Sequence, residues 1–96
     1  GDDGHTASLF PGTDAPTVRD QWTTIGRGKG LDRITLTAPV LSAARKVLFL
    51  VSGEGKHQAL SRLIDPSESS ERTPAKLVSP SMEILVLADQ AASRGL

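Results

Sequence analysis

Ninety-six residues suffice for one small domain, which buries about 60–70% of the surface its unfolded chain exposes. Hydrophobic residues at 38% and charged residues at 23% describe a globular chain rather than a disordered one. Eleven basic residues balance eleven acidic ones, so net charge gives no reason to expect nucleic acid or an anionic membrane as partner, and the lack of cysteine excludes disulfides, thiolate nucleophiles and cysteine-ligated zinc.

In chain order, residues 1–12 read as a loop leading into a short helical turn that Pro11-Gly12 breaks. Residues 13–32 are rich in Gly, Thr, Asp and Arg without periodicity and read as one long connection, tied to the body by Trp22 and Ile25. Ile34-Thr35-Leu36-Thr37 alternates apolar and polar, a strand with Ile34 and Leu36 on one face. Thr37 can cap a short helix with Pro39 in its first turn, burying Val40, Leu41 and Ala44.

Val47 to Val51 is a continuous apolar run, the pattern of a strand covered on both faces. Ser52-Gly53-Glu54-Gly55 ends it, and a helix starting near Lys56 would bury Ala59, Leu60, Leu63 and Ile64. Asp65 to Ala75 reads as an exposed loop, Glu83 to Ala88 as a strand, and Asp89 to Arg94 as a short terminal helix. Strands alternating with helices indicate an α/β unit with a parallel sheet. Three strands leave two open edges. Together with a distinctive turn at residue 1, this leads us to expect residues 1–96 to be the C-terminal portion of a longer single domain.

No apolar run approaches the roughly 20 residues that span a bilayer. The acidic N-terminus lacks the apolar core of a signal peptide, so no membrane association is expected and the cytoplasm is the expected compartment.

Three places could carry chemistry. In Asp3-Gly4-His5, a histidine able to exchange protons near neutral pH stands beside a carboxylate that can fix its tautomer. An isolated Asp-Gly-His is a weak motif, and from chemistry alone the residues better describe a turn in which Asp3 caps the following helix and His5 is a bystander. In Ser52-Gly53-Glu54-Gly55-Lys56, backbone N–H groups and a lysine between strand and helix could hold an anion, or form a flexible turn with Lys56 in solvent. Arg33 could take a phosphate bidentately at a strand entrance, whereas Arg27 and Lys29 read as a solvated basic loop. His57 reads as an exposed helix residue, and no His/Asp/Glu cluster has metal-ligand spacing.

The run Gly1-Asp2-Asp3-Gly4-His5-Thr6-Ala7-Ser8-Leu9-Phe10-Pro11-Gly12 resembles, almost letter for letter, a signature of the glucosamine-6-phosphate isomerase/6-phosphogluconolactonase family. Arg33 to Thr37 with Pro39, Val47 to Gly53 with Lys56 and Ala59-Leu60, and Glu83 to Asp89 with Ala91-Ala92 resemble its later blocks in order. The resemblance implies part of a three-layer α/β/α Rossmann-like parallel sheet, incomplete without the N-terminal half. It implies hydrolysis of 6-phospho-D-glucono-1,5-lactone to 6-phosphogluconate in the oxidative pentose phosphate pathway, with no metal or cofactor. His5 matches the family's general base and Asp3 the acidic residue two before it, which would orient or polarise the site. Lys56 and Arg33 fall where the family holds the substrate phosphate. Isomerase/deaminase members place a glutamate five residues after the histidine; here that position is Phe10, which favours the lactonase branch. A non-catalytic sugar-phosphate effector domain and a glucosamine-6-phosphate deaminase are the competing readings. The partners implied are the sugar-phosphate lactone and the N-terminal half of the same enzyme, and the 96 residues alone are expected to have little or no activity.

Overall fold

Lys29 and Gly30 both adopt positive φ, 55° and 76°, in the computed structural model, which describes residues 1–96. This two-residue turn joins Thr23–Gly28 (β1) to Leu31–Leu36 (β2), which pair antiparallel with Thr23 opposite Leu36 and Gly28 opposite Leu31. Positive φ at both loop positions matches the right-handed twist of a hairpin. The expectation of an unpatterned connection over 13–32 is therefore corrected. A 3₁₀ turn at Ala15–Thr17 precedes the hairpin, and the first twelve residues contain turns but no helix.

β1 escapes sequence reading because its inward residues are Thr24, Gly26 and Gly28, none of them a large apolar side chain. A Cβ on Gly26 would lie 2.2 Å from the Ser8 carbonyl oxygen, and one on Gly28 would lie 2.4 Å from the Phe10 ring. Alternation between apolar and polar residues cannot report a face that carries glycine where an apolar side chain would stand. Ile34 and Leu36 lie on one face of β2 as expected, and the hairpin turns that face outward. Thr35 is buried on the inward face, while Ile25, Ile34 and Leu36 share the other and stay exposed, Ile34 at 85%. The Trp22 side chain is 82% exposed, and it is the Trp22 carbonyl, accepting from the Thr37 N–H at 3.0 Å, that ties this segment to the body.

Thr37 and Pro39 begin a helix as expected, Ala38–Ser42 (α1), but the Thr37 hydroxyl donates to the Gln21 carbonyl at 2.7 Å rather than capping it. The helix stops before Ala44, which is exposed; Ala38 and Leu41 supply its inner face. Leu9, Ala15 and Ala38 form the buried centre, with Leu41 and Leu77 packed against it.

Lys46–Val51 (β3) and Glu83–Ala88 (β4) pair in parallel, Lys46 opposite Glu83 and Val51 opposite Ala88, as a second sheet of two strands. A parallel pair needs a long crossover, and here it contains His57–Ile64 (α2) and a 3₁₀ turn at Pro74–Leu77. The expected parallel sheet is present, but the strand expected at 34–37 is not part of it: β2 pairs with β1 and not with β3 or β4. β3 is also covered on one face only, because Val47, Phe49 and Val51 are half-buried while Leu48 and Leu50 are exposed, Leu50 at 75%.

α2 buries Ala59 and Leu60 and half-buries Leu63; Ile64 is exposed, contrary to expectation, because the helix ends there. The segment expected as an exposed loop also ends differently, with Thr73, Pro74 and Ala75 buried. Gln90–Ser93 (α3) follows β4 and is capped by Asp89, whose carboxylate accepts from the Ala92 N–H at 2.9 Å. No helix is long and apolar enough to cross a membrane.

Candidate active site

The first twelve residues turn tightly around Gly4. At φ 86° this residue adopts a conformation that L side chains avoid, and a Cβ there would meet Thr73 Cγ2 at 2.9 Å. The Gly4 carbonyl accepts from the Ala75 N–H at 3.0 Å, which pins the loop to the 73–75 segment. From the other side the hairpin holds it: the Ser8 N–H donates to Thr35 Oγ1 at 3.0 Å. Buried Thr35 is thus a support that alternation alone hides.

Between these supports Asp3 Oδ1 accepts twice from His5, from the backbone N–H at 3.0 Å and from the imidazole Nδ1 at 2.5 Å. Burial alone would raise the Asp3 carboxyl, but the two hydrogen bonds from His5, helped by the charges of His5 and Lys29, hold it down to about 2. An ionised carboxylate can only accept, so Nδ1 carries the shared proton, and in the neutral imidazole that leaves the lone pair on Nε2. Asp3 does not cap a helix, since no helix lies next to it in the chain. Lys29, expected as a bystander on a solvated loop, stands 3.7 Å from Asp3 Oδ2 and 3.6 Å from Asp2 Oδ1. Its place at the hairpin tip explains why only the fold brings it there.

Beyond His5 the chain reverses. Thr6 bridges Leu9 in antiparallel register, the Leu9 N–H donates to the Thr6 carbonyl at 3.0 Å, and Ala7 turns through φ 49°. The next pair outward is His5 and Phe10, whose rings lie 4.5 Å apart between centroids and 39° between planes. The Arg33 guanidinium lies over the same Phe10 ring, 5.8 Å from its centroid.

His5 and Lys56 line one cavity, together with Thr6 and an apolar floor that includes Phe49, Leu60 and Leu63. Lys56 forms no ion pair, in contrast to Lys29 and Arg62. Arg33 stands outside this lining. The Ser52–Lys56 turn is less open than its composition suggests, because the Gly53 N–H donates to both oxygens of Asp89, at 3.1 and 3.0 Å. His57 begins α2 and its Nε2 pairs with the Arg94 carbonyl at 2.8 Å, away from the cavity. The arrangement offers a base, a carboxylate that fixes its tautomer, and an uncompensated cation across an apolar floor.

The family model described as glucosamine-6-phosphate isomerases/6-phosphogluconolactonase matches residues 1–87. The chain belongs to this family. A 6-phosphogluconolactonase of Synechocystis sp. is 45% identical over 96 residues, all of this chain and 40% of that protein. The 6-phosphogluconolactonase of Rattus norvegicus is 42% identical over 98 residues, 98% of this chain and 37% of that protein. Among solved structures of the family, the 6-phosphogluconolactonase of Leishmania guyanensis superposes with a TM-score of 0.85 at 24% identity, over all of this chain and 39% of the other. That of Trypanosoma cruzi gives 0.82 at 25% identity, over all of this chain and 38% of the other. The chain therefore spans about 40% of the length of the curated family members it matches, rather than half.

Proposed function

We propose that the protein carrying these residues hydrolyses 6-phospho-D-glucono-1,5-lactone to 6-phosphogluconate in the pentose phosphate pathway, with His5 as general base. The observation that carries this reading is the short Asp3–His5 contact beside an unpaired Lys56 on one cavity. The names of these similar family members support the substrate class. In this reading Nε2 of His5 removes a proton from water as its oxygen attacks the lactone carbonyl carbon. The tetrahedral intermediate collapses by breaking the bond to the ring oxygen, which leaves as the sugar's 5-hydroxyl after taking the proton back from His5. Asp3 supports the imidazolium between the two transfers. Lys56 binds the phosphate as a point charge. The reaction needs no cofactor in this scheme, and we assign it to the cytoplasm.

Phe10 supports the lactonase over the deaminase reading. Its ring is the immediate neighbour of the imidazole, so the position offers His5 an apolar wall and no second carboxylate. We further propose that residues 1–96 are the C-terminal part of a three-layer α/β/α sheet. The exposed apolar residues of β3 and β4 support this, Leu48, Leu50, Leu85 and Leu87 among them, as does the greater length of the family members. The remainder of the domain would cover those strands and complete the site, so the 96 residues alone are expected to hydrolyse little or no lactone.

The test is lactone hydrolysis by the whole protein with His5→Ala. General-base catalysis contributes roughly 10²–10⁴-fold, and a kcat loss of that order is expected. Unchanged hydrolysis overturns the assignment of His5, and conversion of glucosamine-6-phosphate in place of the lactone overturns the substrate.

A further inference from the structure

We infer that Phe10 is a positioning residue for His5, a ring whose face sets the plane of the imidazole so that Nε2 points at the attacking water. The inference rests on His5 being the base. The Asp3 contact anchors one atom of the imidazole, Nδ1, at 2.5 Å. With Cβ held by the backbone and Nδ1 by Asp3, the ring can still rock about the line joining those two points, and Nε2 lies off that line, where such rocking moves it most. A second constraint must come from the ring's face. Phe10 supplies it at 4.5 Å between centroids, within the range of favourable offset or tilted aromatic pairs.

Phe10 is itself held firmly. It is only 4% exposed. The turn that bridges Thr6 to Leu9 fixes its backbone opposite His5. Its ring lies on Gly28 of β1, where a Cβ would approach Phe10 Cγ and Cδ2 to 2.4 Å, and the Arg33 guanidinium of β2 stands over it at 5.8 Å. The hairpin thus supports the base through Phe10, and Gly28 is the residue that gives the ring room. A bulky aliphatic side chain at position 10 would fill similar space but present no flat face. This separates a positioning role from simple core packing.

The experiment compares Phe10→Leu, Phe10→Tyr and Gly28→Ala in the whole protein, measuring kcat and KM for the lactone, with His5→Ala as reference. A misplacement of about 1 Å in a reacting group can cost about 10²-fold. The expected result is a kcat about 10–100-fold lower for Phe10→Leu and for Gly28→Ala, with KM within about twofold, and recovery to within a few-fold of wild type for Phe10→Tyr. If Phe10→Leu does not fold, Gly28→Ala against Phe10→Tyr carries the comparison, since neither removes the ring. The inference is overturned if Phe10→Leu or Gly28→Ala keeps a kcat within about twofold of wild type, or if Phe10→Tyr falls as far as Phe10→Leu. His5→Ala distinguishes the two failures. If it abolishes hydrolysis while the other variants remain active, only the positioning role is lost. If it leaves hydrolysis intact, the base assignment itself is wrong.

Discussion

Asp3 Oδ1 accepts from both the backbone N–H and the Nδ1 of His5, at 3.0 and 2.5 Å, so a single carboxylate oxygen fixes the loop and the tautomer together. Replacing it with an amide breaks that combination. Asp3→Asn is expected to lower kcat roughly 10²–10⁴-fold in the whole protein with little change in KM, because the neutral amide neither fixes the tautomer nor stabilises an imidazolium. A KM effect without a kcat effect in steady-state kinetics would contradict this role.

The same contact makes stability depend on acid. The Asp3 carboxyl is held at about 2 in the fold against 3.8 for a free aspartate. The unfolded chain therefore binds the proton first as pH falls, and stability rises with pH across this interval. The Asp3 contribution is fully present above about 4 and disappears as pH drops through about 2. Thermal midpoints measured across that interval should fall more steeply in the wild type than in Asp3→Asn. Parallel curves would show that the contact contributes nothing.

Gly4 has no tolerance for a side chain. Its φ of 86° and the 2.9 Å approach to Thr73 Cγ2, with the Thr73 Cα at 3.2 Å behind it, leave a methyl group nowhere to go. Gly4→Ala should destabilise the fold by roughly 2–4 kcal/mol, combining the conformational and overpacking costs. Urea denaturation at neutral pH checks this; a loss below about 1 kcal/mol would mean that the loop simply shifts.

Lys56 carries a charge into a cavity that offers it no carboxylate. Lys56→Met should raise KM about 10–100-fold, the equivalent of one charge-assisted hydrogen bond, while kcat changes much less. Lys56→Arg should recover part of that loss. Substrate titration separates this from a general structural defect, which would lower kcat as well.

Sequence legibility divides along a physical line. The loop 1–12, the strands 47–51 and 83–88, the helix after Lys56 and the Asp89-capped terminal helix are all readable, since each depends on local chemistry or on a continuous apolar run. β1 is not readable, because Gly26 and Gly28 face Ser8 and Phe10 and leave no apolar alternation behind. One signal is available: Lys29-Gly30 between two short segments is the composition of a two-residue hairpin turn. The inward face of β2 misleads for a related reason, as hydrophobicity picks out Ile34 and Leu36 where the fold buries Thr35.

By itself the sequence determined the family and set Asp3 and His5 on either side of a glycine, whereas the turn that brings them into contact is held by Ala75 and Thr35, far along the chain. It also placed Phe10 five residues beyond the histidine. Only the tertiary structure decided that this spacing puts one ring against the other, that Lys29 reaches Asp3 from a hairpin tip, and that Arg33 stands over Phe10 outside the cavity Lys56 lines. The contacts of Lys29 and Arg33 join segments more than twenty residues apart, and a local pattern carries no information about which distant surface will face it.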